Sequence, residues 1–116
     1  IRVNNHSIEL AKTIYKIINN KKVEDIEVLD VHELTTLTDI FVIAIGSNTR
    51  QTKALADEVE FVLRQEGYEA YQKEGYDTAS WILMDYQNVI IHILYKEDAE
   101  FYALDRLWQD GKIIIF

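Results

Sequence analysis

Apolar residues recur along this chain with two different periods, and the switches between them lay out its elements. From Ser7 to Asn20 they fall at Ile8, Leu10, Ala11, Ile14, Ile17 and Ile18, one face of a helix with a period near 3.6. The run Asn5-His6-Ser7 supplies N-cap candidates for it. Asn19-Asn20-Lys21-Lys22 breaks the pattern, and Val23 to Val31 alternates loosely as a half-exposed strand with Ile26, Val28 and Leu29 partly buried. Ile40-Phe41-Val42-Ile43-Ala44-Ile45 is apolar on both faces, as in a strand covered on either side or lying at the centre of a sheet, and Gly46-Ser47 ends it.

Asn48 or Thr49 can cap a second helix, whose stripe Leu55, Ala56, Val59, Val62 and Leu63 stops at Gly67, a suitable residue just past a helix end. Tyr68 to Lys73 reads as a strand, followed by a turn at Glu74-Gly75-Tyr76-Asp77. Trp81 to Tyr86 and Val89 to Tyr95, joined through Gln87-Asn88, predict an antiparallel hairpin. Phe101, Leu104, Leu107 and Trp108 then stand at helical spacing. This order predicts an α/β fold: a single-layer mixed β-sheet of about five strands flanked by helices. With 116 residues the chain can hold one core, so residues 1–116 are expected to form a single domain.

The short loop of the hairpin fixes its side-chain parity. Trp81, Leu83 and Asp85 share a face with Ile90, His92 and Leu94, while Ile82, Met84 and Tyr86 join Val89, Ile91 and Ile93. The first face mixes an indole, a carboxylate and an imidazole with aliphatics, as the centre of a protein-binding patch does. The same pattern also fits a core tryptophan beside a half-buried histidine. Phe101 and Tyr102 point about 100° apart on a helix, so one of them, Tyr102, is expected to be exposed, with Glu100 beside it.

Charge narrows the choice of partner. The net charge is −8, with acids clustered at Glu24-Asp25-Glu27, Asp57-Glu58-Glu60 and Glu97-Asp98-Glu100. Such a surface repels phosphate backbones, which argues against nucleic-acid recognition and favours a basic protein; acidity also simply keeps a small protein soluble. No apolar run is long enough to span a bilayer, and Ile1-Arg2-Val3-Asn4-Asn5 does not read as a signal peptide. The absence of Cys removes thiol chemistry and fits a reducing compartment, so a cytoplasmic location is expected.

Catalytic constellations are not legible. His6, His32 and His92 lie far apart, with no metal-ligand spacing, so neither a metal nor a cofactor is expected. Ser47 and Ser80 lack a nucleophile-elbow setting. Gly46-Ser47, after an apolar strand and before a helix, is similar to the Gly-Ser turn of nucleotidyltransferases, where amides and a helix N-terminus meet triphosphate. That chemistry needs a carboxylate pair on the following strand, and Glu69-Ala70-Tyr71 supplies only one.

Thr38-Asp39-Ile40-Phe41-Val42-Ile43-Ala44, Gly46-Ser47, Arg50-Gln51, Ala56-Asp57-Glu58, Glu74-Gly75-Tyr76, Trp81 to Tyr86, Val89-Ile90-Ile91-His92 and Phe101 to Trp108 together resemble the ribosomal silencing factor family, the Iojap-like proteins. The resemblance implies a nucleotidyltransferase-like topology without catalysis. It also implies binding to large-subunit ribosomal protein fourteen, steric blocking of subunit joining, and a homodimer; organellar relatives are linked to large-subunit assembly. The implied partner surface centres on Trp81, Leu83, Asp85 and His92, with Tyr76, Tyr95, Glu100 and Tyr102 near it. Trp81 would be its anchor, Asp85 and Glu100 its charge partners, and His92 a hydrogen-bonding group. The alternatives are a nucleotide-using enzyme of this fold, or an assembly factor that does not silence. The apolar ending Gly111-Lys112-Ile113-Ile114-Ile115-Phe116 departs from the pattern, and packing on the sheet or self-association would account for it.

Overall fold

The computed structural model describes residues 5–102 and 111–116, with the backbone alone for residues 100–102. Its elements are α1 (Asn5–Asn19), β1 (Asp25–Asp30), β2 (Ile40–Gly46), α2 (Thr49–Gln65), β3 (Gln72–Glu74), β4 (Trp81–Asp85), β5 (Val89–Tyr95), α3 (Lys96–Tyr102) and β6 (Lys112–Ile113). The strands form one mixed sheet in the order β3-β4-β5-β2-β1-β6. β2 and β5 run parallel at its centre, and the flanking pairs are antiparallel.

Alternation along the strands divides the core in two. Val42 and Ala44 of β2, Ile82 and Met84 of β4, and Ile91 and Ile93 of β5 point to an inner side, where α1 contributes Leu10, Ile14 and Ile18 and α2 contributes Leu55, Val59 and Leu63. Phe41 and Ile43, Ile90 and Leu94 point to the outer side with Leu29, Trp81 and Leu83, and Ala99 of α3 packs there. Burial on both sides is why β2 carries no polar alternation.

Local signals account for most boundaries. Asn48 is the N-cap of α2, its side chain accepting the Gln51 N–H at 2.8 Å. Gly67, at φ +92°, ends the helix with the bonds of a Schellman motif: its N–H donates to Arg64 O at 3.1 Å, and that of Tyr68 to Leu63 O at 2.8 Å. Gly75 is required at its turn. It sits at φ +78°, and a Cβ there would lie 2.1 Å from the carbonyl oxygen of Trp81.

Three expectations change. Ser7 lies inside α1 instead of capping it; buried, it donates its hydroxyl to Asp39 Oδ2 at 2.7 Å and ties the helix to the start of β2. The strand expected over Tyr68 to Lys73 is the three-residue β3, because the cap of α2 extends through Tyr68. Among the described residues the sheet has six strands, against the five or so expected. The apolar ending supplies the sixth, pairing Ile113 with Leu29 and Lys112 with Asp30, while Ile114 N–H donates to Val28 O at 2.8 Å. Of the expected last helix, α3 is described as far as Tyr102; Leu104, Leu107 and Trp108 lie outside the described residues.

Candidate functional site

The β4–β5 hairpin has the expected register. Trp81 pairs with Leu94, Leu83 with His92 and Asp85 with Ile90, which places all six on the outer side. The two-residue loop is tight: Tyr86 N–H donates to Val89 O at 2.9 Å, and Gln87 adopts φ +73°. Asp85 helps hold that unfavourable backbone, since its Oδ1 accepts the Gln87 N–H at 2.7 Å. Its carboxylate is thus partly engaged in the turn as well as half-exposed beside the loop.

His92 lies beneath this surface, not on it. Only 5 % of the residue is accessible, too little for the direct partner contact expected of it. Trp81 Nε1–H donates to His92 Nδ1 at 3.0 Å. The Phe41 ring meets the imidazole edge-on, with centroids 4.7 Å apart at 83°. Burial lowers the His92 pKa from 6.5 to about 4, so the ring is neutral at physiological pH. Trp81, Leu83 and Asp85 themselves are half-buried. Beside them, Glu74 of β3 faces Leu83 and Gln72 faces Asp85. On the far edge, exposed Asp25 and Glu27 of β1 stand opposite Ile45 and Ile43. The outer side therefore carries an aromatic and aliphatic middle with acids on both flanks.

Two expected neighbours are elsewhere. Tyr76 packs with the inner-side core, and its hydroxyl donates to the two carboxylate oxygens of Asp57 on α2 at 2.9 and 3.0 Å. Lys53 and Lys73 stand over its ring, 5.4 and 4.6 Å from the centroid. Tyr95, by strand parity, belongs with Ile91 and Ile93 at the end of β5, and the Glu97 carboxylate that accepts its hydroxyl raises its pKa. Tyr95 misses the Trp81 surface because it falls one position out of phase with it along the hairpin, and Tyr76 because its turn lies against α2. Glu100 and Tyr102 lie on α3, whose Ala99 packs on the outer side, but their side chains are outside the described residues.

At Gly46-Ser47 the groups that would meet a triphosphate are already engaged. Ser47 N–H donates to Gln51 Oε1 at 2.7 Å, and Ser47 Oγ donates to Glu24 Oε1 at 3.1 Å. Lys96 Nζ lies 3.7 Å from the other Glu24 oxygen. A carboxylate at the mouth of the turn opposes an incoming phosphate. Glu69 is not on β3; it lies 3.4 Å from Arg64 on α2. Among the described residues, no helix is long and apolar enough to cross a membrane.

Sequence reasoning missed Glu74 and Phe41. Glu74 fell into a turn once β3 was placed too early, and an exposed three-residue strand offers no apolar alternation to correct it. Phe41 sits in a run where every residue is apolar, so parity there had no polar marker.

Comparison with known proteins sets these features in a family. Residues 4–114 match the family model described as "Ribosomal silencing factor during starvation". The chain is 30% identical over 106 residues to "Ribosomal silencing factor RsfS" of Halalkalibacterium halodurans, covering 91% of each chain. It is 32% identical over 106 residues to the protein of that name from Bacillus subtilis, covering 88% of this chain and 90% of the other. A crystal structure of a Chromobacterium violaceum protein superposes with a TM-score of 0.85 at 28% identity, covering 100% of this chain and 92% of that one.

Proposed function

This chain belongs to the ribosomal silencing factor family, and from that premise we propose that it represses translation by binding the large ribosomal subunit and sterically blocking its union with the small one. The partner in this reading is large-subunit ribosomal protein fourteen. The observation that carries it is the outer side of the sheet, where half-buried Trp81 and Leu83 sit between acidic flanks at Glu74 and Asp85 and at Asp25 and Glu27. A half-exposed indole backed by packed core is the usual form of a binding hot spot, and the flanking carboxylates complement a basic ribosomal protein and steer its approach. Trp81 is the anchor, Leu83 extends the apolar contact, Asp85 is the charge partner, and Glu100 and Tyr102 lie on the neighbouring helix. A homodimer belongs to the same reading; exposed Ile113 and Ile115 support it, and sedimentation equilibrium tests it.

The test is a subunit-joining assay. Purified large subunits are incubated with the protein, small subunits are added, and the products are separated by sedimentation. The expected result is loss of the joined particle. Trp81→Ala, folded as judged by circular dichroism, should restore joining and weaken large-subunit association by about 2 kcal/mol or more, roughly thirtyfold. Normal joining by large subunits that still carry the protein would leave binding intact and remove silencing. Failure to co-sediment would sink the reading altogether.

A further inference from the structure

His92 is the one polar position among the outer-side residues of β5, between Ile90 and Leu94, and its bonding there is incomplete. Indole N–H can only donate, so the 3.0 Å contact makes His92 Nδ1 the acceptor and leaves the ring proton on Nε2. That Nε2 is buried and has no hydrogen-bond partner among the described residues. A buried donor left unmade opposes folding, and an aliphatic residue at position 92 would avoid it. What the imidazole provides in return is an acceptor of fixed direction. Its ring is wedged between Phe41 of β2 and Trp81 of β4, with Ile43 and Leu83 as its cross-strand neighbours.

We propose that His92 is a positioning residue for Trp81: by accepting the indole N–H from beneath, it turns the ring's polar edge into the protein and presents a hydrocarbon edge to the partner. The proposal rests on the outer side being the partner surface. It assigns His92 a role through Trp81 in place of a contact of its own, and it assigns the partner an apolar group, not a hydrogen-bond acceptor, at the indole. Trp81 is only half-buried. Without the imidazole its N–H can reach water by rotating about χ1 and χ2, and the bound orientation becomes one of several that association must select.

Two substitutions separate positioning from simple support of the core. His92→Asn places a carbonyl oxygen near the Nδ1 position, whereas His92→Leu keeps the bulk and removes the acceptor. The first readout is hydrogen exchange at the Trp81 indole N–H in the free protein, its resonance distinguished from that of the second tryptophan by its loss in Trp81→Phe. The second is association with purified large ribosomal subunits. Exchange should quicken about tenfold in His92→Leu and association weaken by a similar factor, with His92→Asn restoring most of both. In a Trp81→Phe background, His92→Leu should have no further effect on association. Slow exchange retained in His92→Leu would overturn the proposal, as would an equal loss of association with and without the indole nitrogen. Normal association of Trp81→Ala would instead overturn the surface assignment, and the exchange rates would still decide whether His92 holds the ring.

Discussion

The two sides of this sheet are cut from the same strands, residue by alternate residue, yet they differ in chemistry. The inner side is closed by two long helices over aliphatic residues, and Ile82, Met84, Ile91 and Ile93 are wholly buried there. The outer side, built from their immediate neighbours, has only the short α3 described against it and keeps Trp81, Leu83 and Asp85 half-exposed. Stability is concentrated on the inner side, and the proposed recognition surface lies on the outer one. Among the described residues each side also holds one buried side-chain polar atom without a partner, the Tyr86 hydroxyl within and His92 Nε2 without. Only the second belongs to a ring whose other nitrogen serves a surface residue.

The largest expected effect tests the inner side. Ile91→Ala should cost about 3 to 4 kcal/mol in urea unfolding, since a fully buried aliphatic leaves a cavity that two helices and a sheet cannot readily close. Next comes acid. The folded-state pKa of His92 is depressed to about 4 from 6.5, so the unfolded chain takes up the proton first. Stability from this group is complete above pH 6.5 and is lost progressively as pH falls to about 4, by roughly 3 kcal/mol. Unfolding curves across that window should be steeper in pH for the native protein than for His92→Asn; equal slopes would remove His92 as the cause.

Leu83→Ala sharpens the contrast from the other direction. Half-buried on the outer side, it should cost about 1 kcal/mol of stability or less while weakening large-subunit association by about tenfold. A stability loss equal to that of Ile91→Ala would make the two sides alike. The smallest effect is expected from Tyr86→Phe. The buried hydroxyl has no partner among the described residues, and burial pushes its pKa up to about 12. Removing it should leave stability unchanged or raise it by up to about 1 kcal/mol; a clear loss in thermal unfolding would mean that the hydroxyl is bonded after all.

Legibility in the sequence followed the strength of local constraint. The hairpin register could be read because a two-residue loop fixes parity, and this put Trp81, Leu83, Asp85 and His92 on one side. Asn48 and Gly67 announced both ends of α2. Where the deciding contact is distant in the chain, the reading failed. Ser7 has the chemistry of a cap, but the partner of its hydroxyl is Asp39, supplied by tertiary structure. Tyr76 and Tyr95 look like neighbours of Trp81 until strand parity and Asp57 on α2 take them away. The depth of His92 depended on Phe41, a residue that an unbroken apolar run cannot mark as belonging to either side.

The parallel pairing of β2 with β5 also bears on how the chain emerges during its own synthesis. Ile40 pairs with Val89 and Gly46 with Tyr95, roughly fifty positions later in each case. β2 is the most continuously apolar strand among the described residues, and it waits for its central partner until roughly fifty further residues have been made. The β4–β5 hairpin can close within microseconds, but the sheet that receives it is assembled from contacts far apart in sequence, which slows folding. A nascent chain arrested before Val89 therefore has β1 to pair with β2 on one side but leaves the other edge of that apolar strand open and aggregation-prone, and chaperone capture should be strongest on chains of that length and fall once Tyr95 has cleared the exit tunnel.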